Sequence, residues 1–231
     1  MPKPEKYVVI AIDGPAGSGK SSTAKQVAAR LRILHLDTGA MYRAITLKCL
    51  RGKIPFQNEA KIAALLKDTS ISFSGVSLSM RVWMDNEDIT EAIRSDEVTK
   101  NVSDYCAVPV VRTVLVDLQR KIGSGRSLVC EGRDIGTVVF PNADLKFYMV
   151  ASEKERARRR QRDFAAMGIK KSVDELAAEI GERDRKDSSR ENSPLCKADD
   201  AKEIDTTNMT LDQQVQYIVD KARKILQQVA V

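Results

Sequence analysis

The strongest chemical signal is an unbroken run, Gly14-Pro15-Ala16-Gly17-Ser18-Gly19-Lys20-Ser21, which satisfies G-x-x-x-x-G-K-[ST] at every required position. A run of this kind cradles phosphate. Its glycines let the backbone curl until several N–H groups converge on phosphate oxygens, and the helix that follows adds the positive end of its dipole. Lys20 then reaches the β- and γ-phosphates, and the Ser21 hydroxyl meets a Mg²⁺ ion. Ser22 completes the stretch expected to bind ATP. The bland alternative is a glycine-rich strand-to-helix turn without a ligand, and the completeness of the motif weighs against it. A phosphate-binding loop alone does not separate kinases from GTPases, motor ATPases or helicases.

Three further constellations bear on what receives the phosphate. Leu36-Asp37-Thr38-Gly39-Ala40-Met41-Tyr42-Arg43 follows an apolar stretch and enters a helix. Thr38 can cap that helix or offer its hydroxyl to an anion, and Arg43 supplies a fork for phosphate. A capped helix with a surface arginine reads equally well from this segment alone. Glu131-Gly132-Arg133-Asp134 comes directly after the apolar Leu128–Cys130. A carboxylate at the carboxyl end of a strand stands where a Walker-B acid belongs, so Glu131 is expected to hold Mg²⁺ through water. A salt-bridged surface turn is the alternative. Arg183, Asp187 and Arg190 are spaced i, i+4, i+7 and share a face if one helix carries all three. Such a set is ordinarily a surface ion pair worth tenths of a kcal/mol.

Between Glu153 and Arg162 six of ten residues are basic: Lys154, Arg156, Arg158, Arg159, Arg160 and Arg162. An RNA-binding patch, a solvated helix face and an arginine-rich lid over ATP all fit such a run. Only Phe164 interleaves an aromatic ring, which argues against a platform for single-stranded RNA. We favour the lid, with Arg158 and Arg162 as its contacts.

The elements that must position these groups alternate strand and helix, the pattern of a parallel sheet covered by helices. Tyr7–Ile12 is a continuous apolar run, as for a central strand buried on both faces. Lys20–Leu31 and Ala40–Leu50 read as helices, and Asn58 caps a third. From Ile71 to Ile89 short β-rich pieces (Ile71–Phe73, Leu78–Met84) and the turn pair Asp85-Asn86 predict a small antiparallel insertion. Helical character returns near Ser95, and Pro109 opens a helix to about Ile122. Leu128–Cys130 and Leu145–Val150 are further buried strands. Ser152 with Glu155, Ser172 with Glu175 and Thr210 with Gln213 form capping boxes that open the last three helices.

The 231 residues suffice for one α/β domain with a modest insertion. Thirty-eight Lys and Arg against 32 Asp and Glu give a net charge of +6, which permits phosphorylated partners without requiring nucleic acid. Four cysteines without C-x-x-C spacing and the single His35 suggest neither a zinc site nor a disulfide framework. Met1–Lys6 is short and polar and no membrane span is visible, so a cytoplasmic, membrane-free protein is expected.

The segments Ile12–Pro15, Leu36–Arg43 and Glu131-Gly132-Arg133-Asp134-Ile135-Gly136-Thr137-Val138-Val139-Phe140-Pro141 closely resemble the bacterial cytidylate kinases. The match continues through Arg183-Asp184, Asp187, Arg190, Ser193-Pro194-Leu195 and Ile204-Asp205-Thr206-Thr207. The resemblance implies a three-layer α/β P-loop kinase with a parallel central sheet. Within a single domain over 1–231 it implies a β-rich NMP-binding insertion at about 63–103 and an arginine-rich helical lid at about 153–167. It implies transfer of the γ-phosphate of ATP to CMP or dCMP by a monomer, with Mg²⁺. Thr38, Arg43, Arg112 and Arg133 match the family's contacts to the CMP phosphate. Ser103 and Asp134 match its contacts to the cytosine edge, with Arg190 beside them, and Arg183 and Asp187 its contacts to the pentose. Lys20, Arg133, Arg158 and Arg162 are the expected catalytic groups, with Ser21 and Glu131 on the metal side. Asp37 is expected to help position metal-bound water, and Asp13 to organise the loop's entry. His35 stands where the family commonly carries an aromatic residue and reads as packing or surface. Other small-molecule P-loop kinases (UMP/CMP, shikimate, dephospho-CoA) and an RNA-binding P-loop ATPase are the competing readings.

Overall fold

The computed structural model describes residues 7–75, 79–166 and 168–229, which fall into two compact units. The first unit comprises Met1–His35 with Gly125–Val231, and the second Leu36–Ser124.

In the first unit the apolar runs become strands for the expected reason: each is flanked by hydrogen-bonded neighbours and covered on its faces. The elements are β1 (Val9–Asp13), α1 (Lys20–Leu31), β2 (Leu34–Asp37, whose last two residues begin the second unit), β6 (Leu128–Gly132), β7 (Leu145–Val150), α6 (Glu153–Ala166), α7 (Val173–Ser188), β8 (Lys202–Asp205) and α8 (Leu211–Val229). The sheet runs β2-β6-β1-β7-β8, and β1 lies parallel to both β6 and β7. That register sets Asp13 between Gly132 and Tyr148, so the loops leaving three strands open at one end of the sheet.

Ala24, Val27 and Ala28 of α1 and Val215, Ile218, Val219 and Ala222 of α8 pack against Ile10, Ile12, Val129, Phe147 and Met149. The 215/218/219/222 spacing is the i, i+3, i+4, i+7 stripe of a helix with one buried face. Each large aliphatic side chain buried here contributes roughly 1.5–3 kcal/mol. A separate cluster of Ala157, Phe164, Leu176 and Ile180 holds α6 against α7. The arginine-rich helix is thereby docked along its apolar stripe, while its charges project elsewhere.

Helix ends follow the capping chemistry. Ser172 and Glu175 bond reciprocally at the start of α7, and Thr210 and Gln213 do so at the start of α8. At α6 only one half forms, with Glu155 N donating to Ser152 Oγ at 3.3 Å. The edge strand β8 escaped the sequence reading, because only Ile204 of its four residues is buried and no alternation marks it.

The second unit contains α2 (Thr38–Arg51), α3 (Glu59–Lys67), the antiparallel sheet β3 (Ile71–Ser74), β4 (Arg81–Met84) and β5 (Glu87–Asp88), α4 (Asp96–Ala107) and α5 (Pro109–Gly123). Asp85 and Asn86 both take positive φ, 52° and 69°, which is the backbone that a two-residue hairpin between β4 and β5 demands. Leu78, expected to begin a strand, lies outside the described residues. Val82, Met84, Ile89, Ile93 and Val98 close over Ala40, Ala44 and Leu47 of α2 to make this unit's core. Among the described residues no helix is long and apolar enough to cross a membrane.

Candidate active site

The phosphate loop joins β1 to α1 in a backbone that only glycine permits at its first position. Gly14 has φ +152°, and a Cβ there would lie 2.2 Å from the carbonyl oxygen of Met149 on β7. Around the loop, side chains from distant segments hold its peptide groups. Asp184 of α7 accepts the Ala16 amide at 3.2 Å, and Arg156 of α6 donates both to Asp184 and to the Ala16 carbonyl, the latter at 3.0 Å. Arg159 Nη1 donates to the Ser18 carbonyl at 3.2 Å and to Thr206 Oγ1 at 3.0 Å. Thr206, fully buried after β8, brings that hydroxyl to 2.9 Å from the same Ser18 carbonyl. These bonds hold the Ala16 peptide and the Ser18 carbonyl, and so fix the curl of the loop. The Ser18 hydroxyl is buried and has no hydrogen-bond partner.

Lys20 opens α1 and is buried; its ammonium donates to the Pro15 carbonyl at 3.0 Å. Burial pushes its pKa down to about 7; the positive charge of Arg133 adds to this and the carboxylate of Glu131 opposes it. A phosphate beside this ammonium would favour its charged form.

Beside it, the Ser21 hydroxyl donates to Glu131 Oε2, and His35 Nε2 lies 3.0 Å from Glu131 Oε1. Glu131 and His35 are only 2% and 6% exposed. Burial alone would raise the Glu131 pKa, but the His35 bond and charge, the Lys20 charge and the Ser21 bond together hold it below its ordinary value. It therefore stays ionised at neutral pH, an oxygen donor at the carboxyl end of β6. Of the two readings of His35, packing or surface, the ring is buried, and it is also bonded to the carboxylate on the neighbouring strand.

The turn after β6 is built by Asp13. Its two carboxylate oxygens accept the amides of Ile135 and Gly136 at 2.8 and 2.7 Å, fixing a short π-helical turn over Ile135–Val139. Burial raises the Asp13 pKa to about 6, against those two bonds. Asp13 organises this loop as well as standing at the entry to the phosphate loop. Asp134, immediately before the turn, is buried.

Arg133, Arg183 and Arg190 converge on one acid. Arg133 Nε donates to Asp187 Oδ2 at 2.9 Å, Arg190 bonds Oδ1, and Arg183 Nε lies 3.9 Å from Oδ2. Asp187 is 1% exposed, so this is no solvated surface pair. Its pKa is held below the usual carboxylate range, with burial opposed by the charges of Arg133, Arg183 and Arg190. The set does not lie on one helix face, because α7 ends at Ser188 and Arg190 returns from the following loop.

Asp37, Thr38, Arg43, Ser103 and Arg112 belong to the second unit. Asp37, not Thr38, caps α2, accepting the Ala40 amide at 2.9 Å, and Thr38 is the first helical residue. Arg43 donates to the Ile93 carbonyl and to Thr99 Oγ1. Arg112, buried on α5, reaches the Cys106 carbonyl and stands 5.4 Å over the Tyr42 ring; Ser103 is buried on α4. On α6, Arg158 and Arg162 are exposed, Arg162 reaching Glu155 at 3.3 Å. Sequence reasoning thus missed Arg156, Arg159, Asp184 and Thr206 as supports of the phosphate loop. The signal was present in the basic run and in the Arg183-Asp184 and Asp205-Thr206 pairs, but nothing in a sequence says which arginine turns inward.

The cytidylate kinase family model matches residues 10–224 of the chain. A cytidylate kinase of Clostridioides difficile is 45% identical over 93% of this chain and 97% of its own length. One of Listeria monocytogenes is 47% identical over 94% of this chain and 96% of its own. One of Chlorobaculum tepidum is 45% identical over 98% and 97% respectively.

Proposed function

This chain belongs to the cytidylate kinase family, and from that premise we propose how its residues move the γ-phosphate of ATP onto CMP. One observation carries the reading. In the first unit the braced phosphate loop, the buried Lys20, the Ser21–Glu131 pair and the arginines around Asp187 all gather at the carboxyl ends of β1 and β6.

The loop Gly14–Ser22 binds the phosphates of ATP, and Lys20 places its ammonium on the β- and γ-phosphates. Ser21 and Glu131 fit a hard divalent cation: both offer oxygen, they are bonded to each other, and Glu131 is ionised. They would hold the Mg²⁺ that accompanies ATP, Glu131 through water. Once bound, that ion neutralises charge on the β- and γ-phosphates.

The acceptor is a phosphate oxygen of CMP, already ionised at neutral pH, so no strong general base is required. What the chain supplies is alignment and positive charge: Lys20, Arg133 and the exposed Arg158 and Arg162 of α6 steady the transferring phosphoryl group. Thr38, Arg43 and Arg112 are assigned to the CMP phosphate, with Arg133. Ser103, Asp134 and Arg190 are assigned to the base, and Arg183 and Asp187 to the pentose. Action on dCMP, a monomeric state and a cytoplasmic location belong to the same proposal.

The test is coupled ADP release from ATP and Mg²⁺ with CMP, dCMP, UMP, AMP and shikimate as acceptors. Rapid turnover confined to CMP and dCMP is expected, with Lys20→Ala lowering kcat by about 10³-fold or more while the fold survives. Turnover with shikimate instead, or ATP hydrolysis only with RNA, would overturn the acceptor assignment.

A further inference from the structure

His35 is the chain's single histidine. It follows Leu34 on β2 and is buried, with Nε2 3.0 Å from Glu131 Oε1. The other oxygen of that carboxylate accepts the Ser21 hydroxyl. An ionised carboxylate only accepts hydrogen bonds, so the ring must carry its proton on Nε2 here. The carboxylate is therefore gripped by one oxygen and aimed by the other.

We infer that His35 is a positioning residue, fixing the plane of Glu131 so that Oε2 stays at the Ser21 hydroxyl, where the nucleotide's cation is to be held. Two physical consequences follow from removing the ring nitrogen. Oε1 would be left buried without this donor, which a carboxylate tolerates poorly. The Lys20 charge already acts on Glu131, so a carboxylate freed from the ring can turn away from Ser21. A carboxylate rotated away from Ser21 would leave the cation without one of its two proposed holders. Partners that orient a metal-side ligand in this way typically change metal affinity by 10–100-fold when they are lost. The inference rests on the proposed cation site at Ser21 and Glu131.

The experiment is calorimetric binding of ATP with and without Mg²⁺, on folded protein checked by circular dichroism. His35→Gln places an amide nitrogen where Nε2 stands; His35→Asn is too short to reach Glu131; His35→Phe keeps only the ring. Asn and Phe are expected to lower ATP affinity about 10–100-fold in the presence of Mg²⁺ and to leave metal-free binding unchanged, while Gln stays near the native value. Should one variant fail to fold, the comparison of Gln with the other decides. Unchanged Mg²⁺ dependence in Asn or Phe, or equal losses with and without Mg²⁺, would overturn the inference. Ser21→Ala separates it from its premise: loss of the Mg²⁺ effect there, with His35 variants intact, sinks only the role of His35. No loss in Ser21→Ala sinks the cation site and His35 together.

Discussion

Asp134 shows what one buried carboxylate can decide. It sits immediately before the π-helical turn, shielded from water, where a hydrogen bond gained or lost is felt at close to its full desolvation cost. On the proposed assignment it accepts from the cytosine amino group, which uracil replaces with a carbonyl that cannot donate. Asp134→Ala should therefore cut the CMP-to-UMP ratio of kcat/KM by about tenfold or more, equivalent to roughly 1–3 kcal/mol. Steady-state kinetics on both nucleotides measures it. An unchanged ratio would move base recognition elsewhere, with Ser103 and Arg190 the next residues to vary. Glu131 makes the complementary point: its proposed role on the metal side needs a buried carboxylate that stays charged, and His35, Lys20 and Ser21 hold its pKa below the ordinary value.

At the scale of the element, α6 divides its arginines by helical phase. Its apolar side, Ala157 and Phe164, lies on α7, and this docking turns Arg156 and Arg159 onto the phosphate loop while Arg158 and Arg162 face solvent. One basic run therefore yields two mechanical roles. Arg156→Ala breaks a largely buried pair with Asp184 and frees the Ala16 peptide, so it should cost about 1–3 kcal/mol and lower Tm by several degrees. Arg158→Ala and Arg162→Ala should leave stability within about 0.5 kcal/mol and reduce kcat about tenfold or more. Thermal melts and initial rates on the three variants separate the roles. Native kcat in both exposed-arginine variants would remove them from phosphoryl transfer.

Across the molecule, acid stability reports the same architecture. Asp187 ties the end of β6, the end of α7 and the Arg190 loop through three guanidinium groups. Its folded pKa is depressed below 3.8, so its contribution is complete above the unfolded value and drains away as pH falls through the folded one. Asp187→Asn should accordingly be less stable than the native protein above about pH 5, and the difference in Tm should close below about pH 4. A Tm difference constant from pH 3 to pH 7 would show that the cluster is held by packing and not by charge.

Local chemistry was legible in the sequence wherever it was contiguous. The phosphate loop, the ends of α1 and β7, the Asn58 cap, the Pro109 helix start and the capping boxes at Ser172 and Thr210 all follow from interactions that span a few residues. The Asp85-Asn86 turn did as well, because its backbone is a property of two residues. What the sequence left open involves partners more than twenty residues apart: His35 with Glu131, Arg156 with Asp184, Thr206 with Ser18, Asp13 with the turn at Ile135. Strand order brings β1, β2, β6 and β8 into one sheet, and docking on α7 sets the rotation of α6. Those contacts are fixed by how apolar faces pack, and that packing alone decides which charged groups in a basic or acidic run become buried partners and which remain in water.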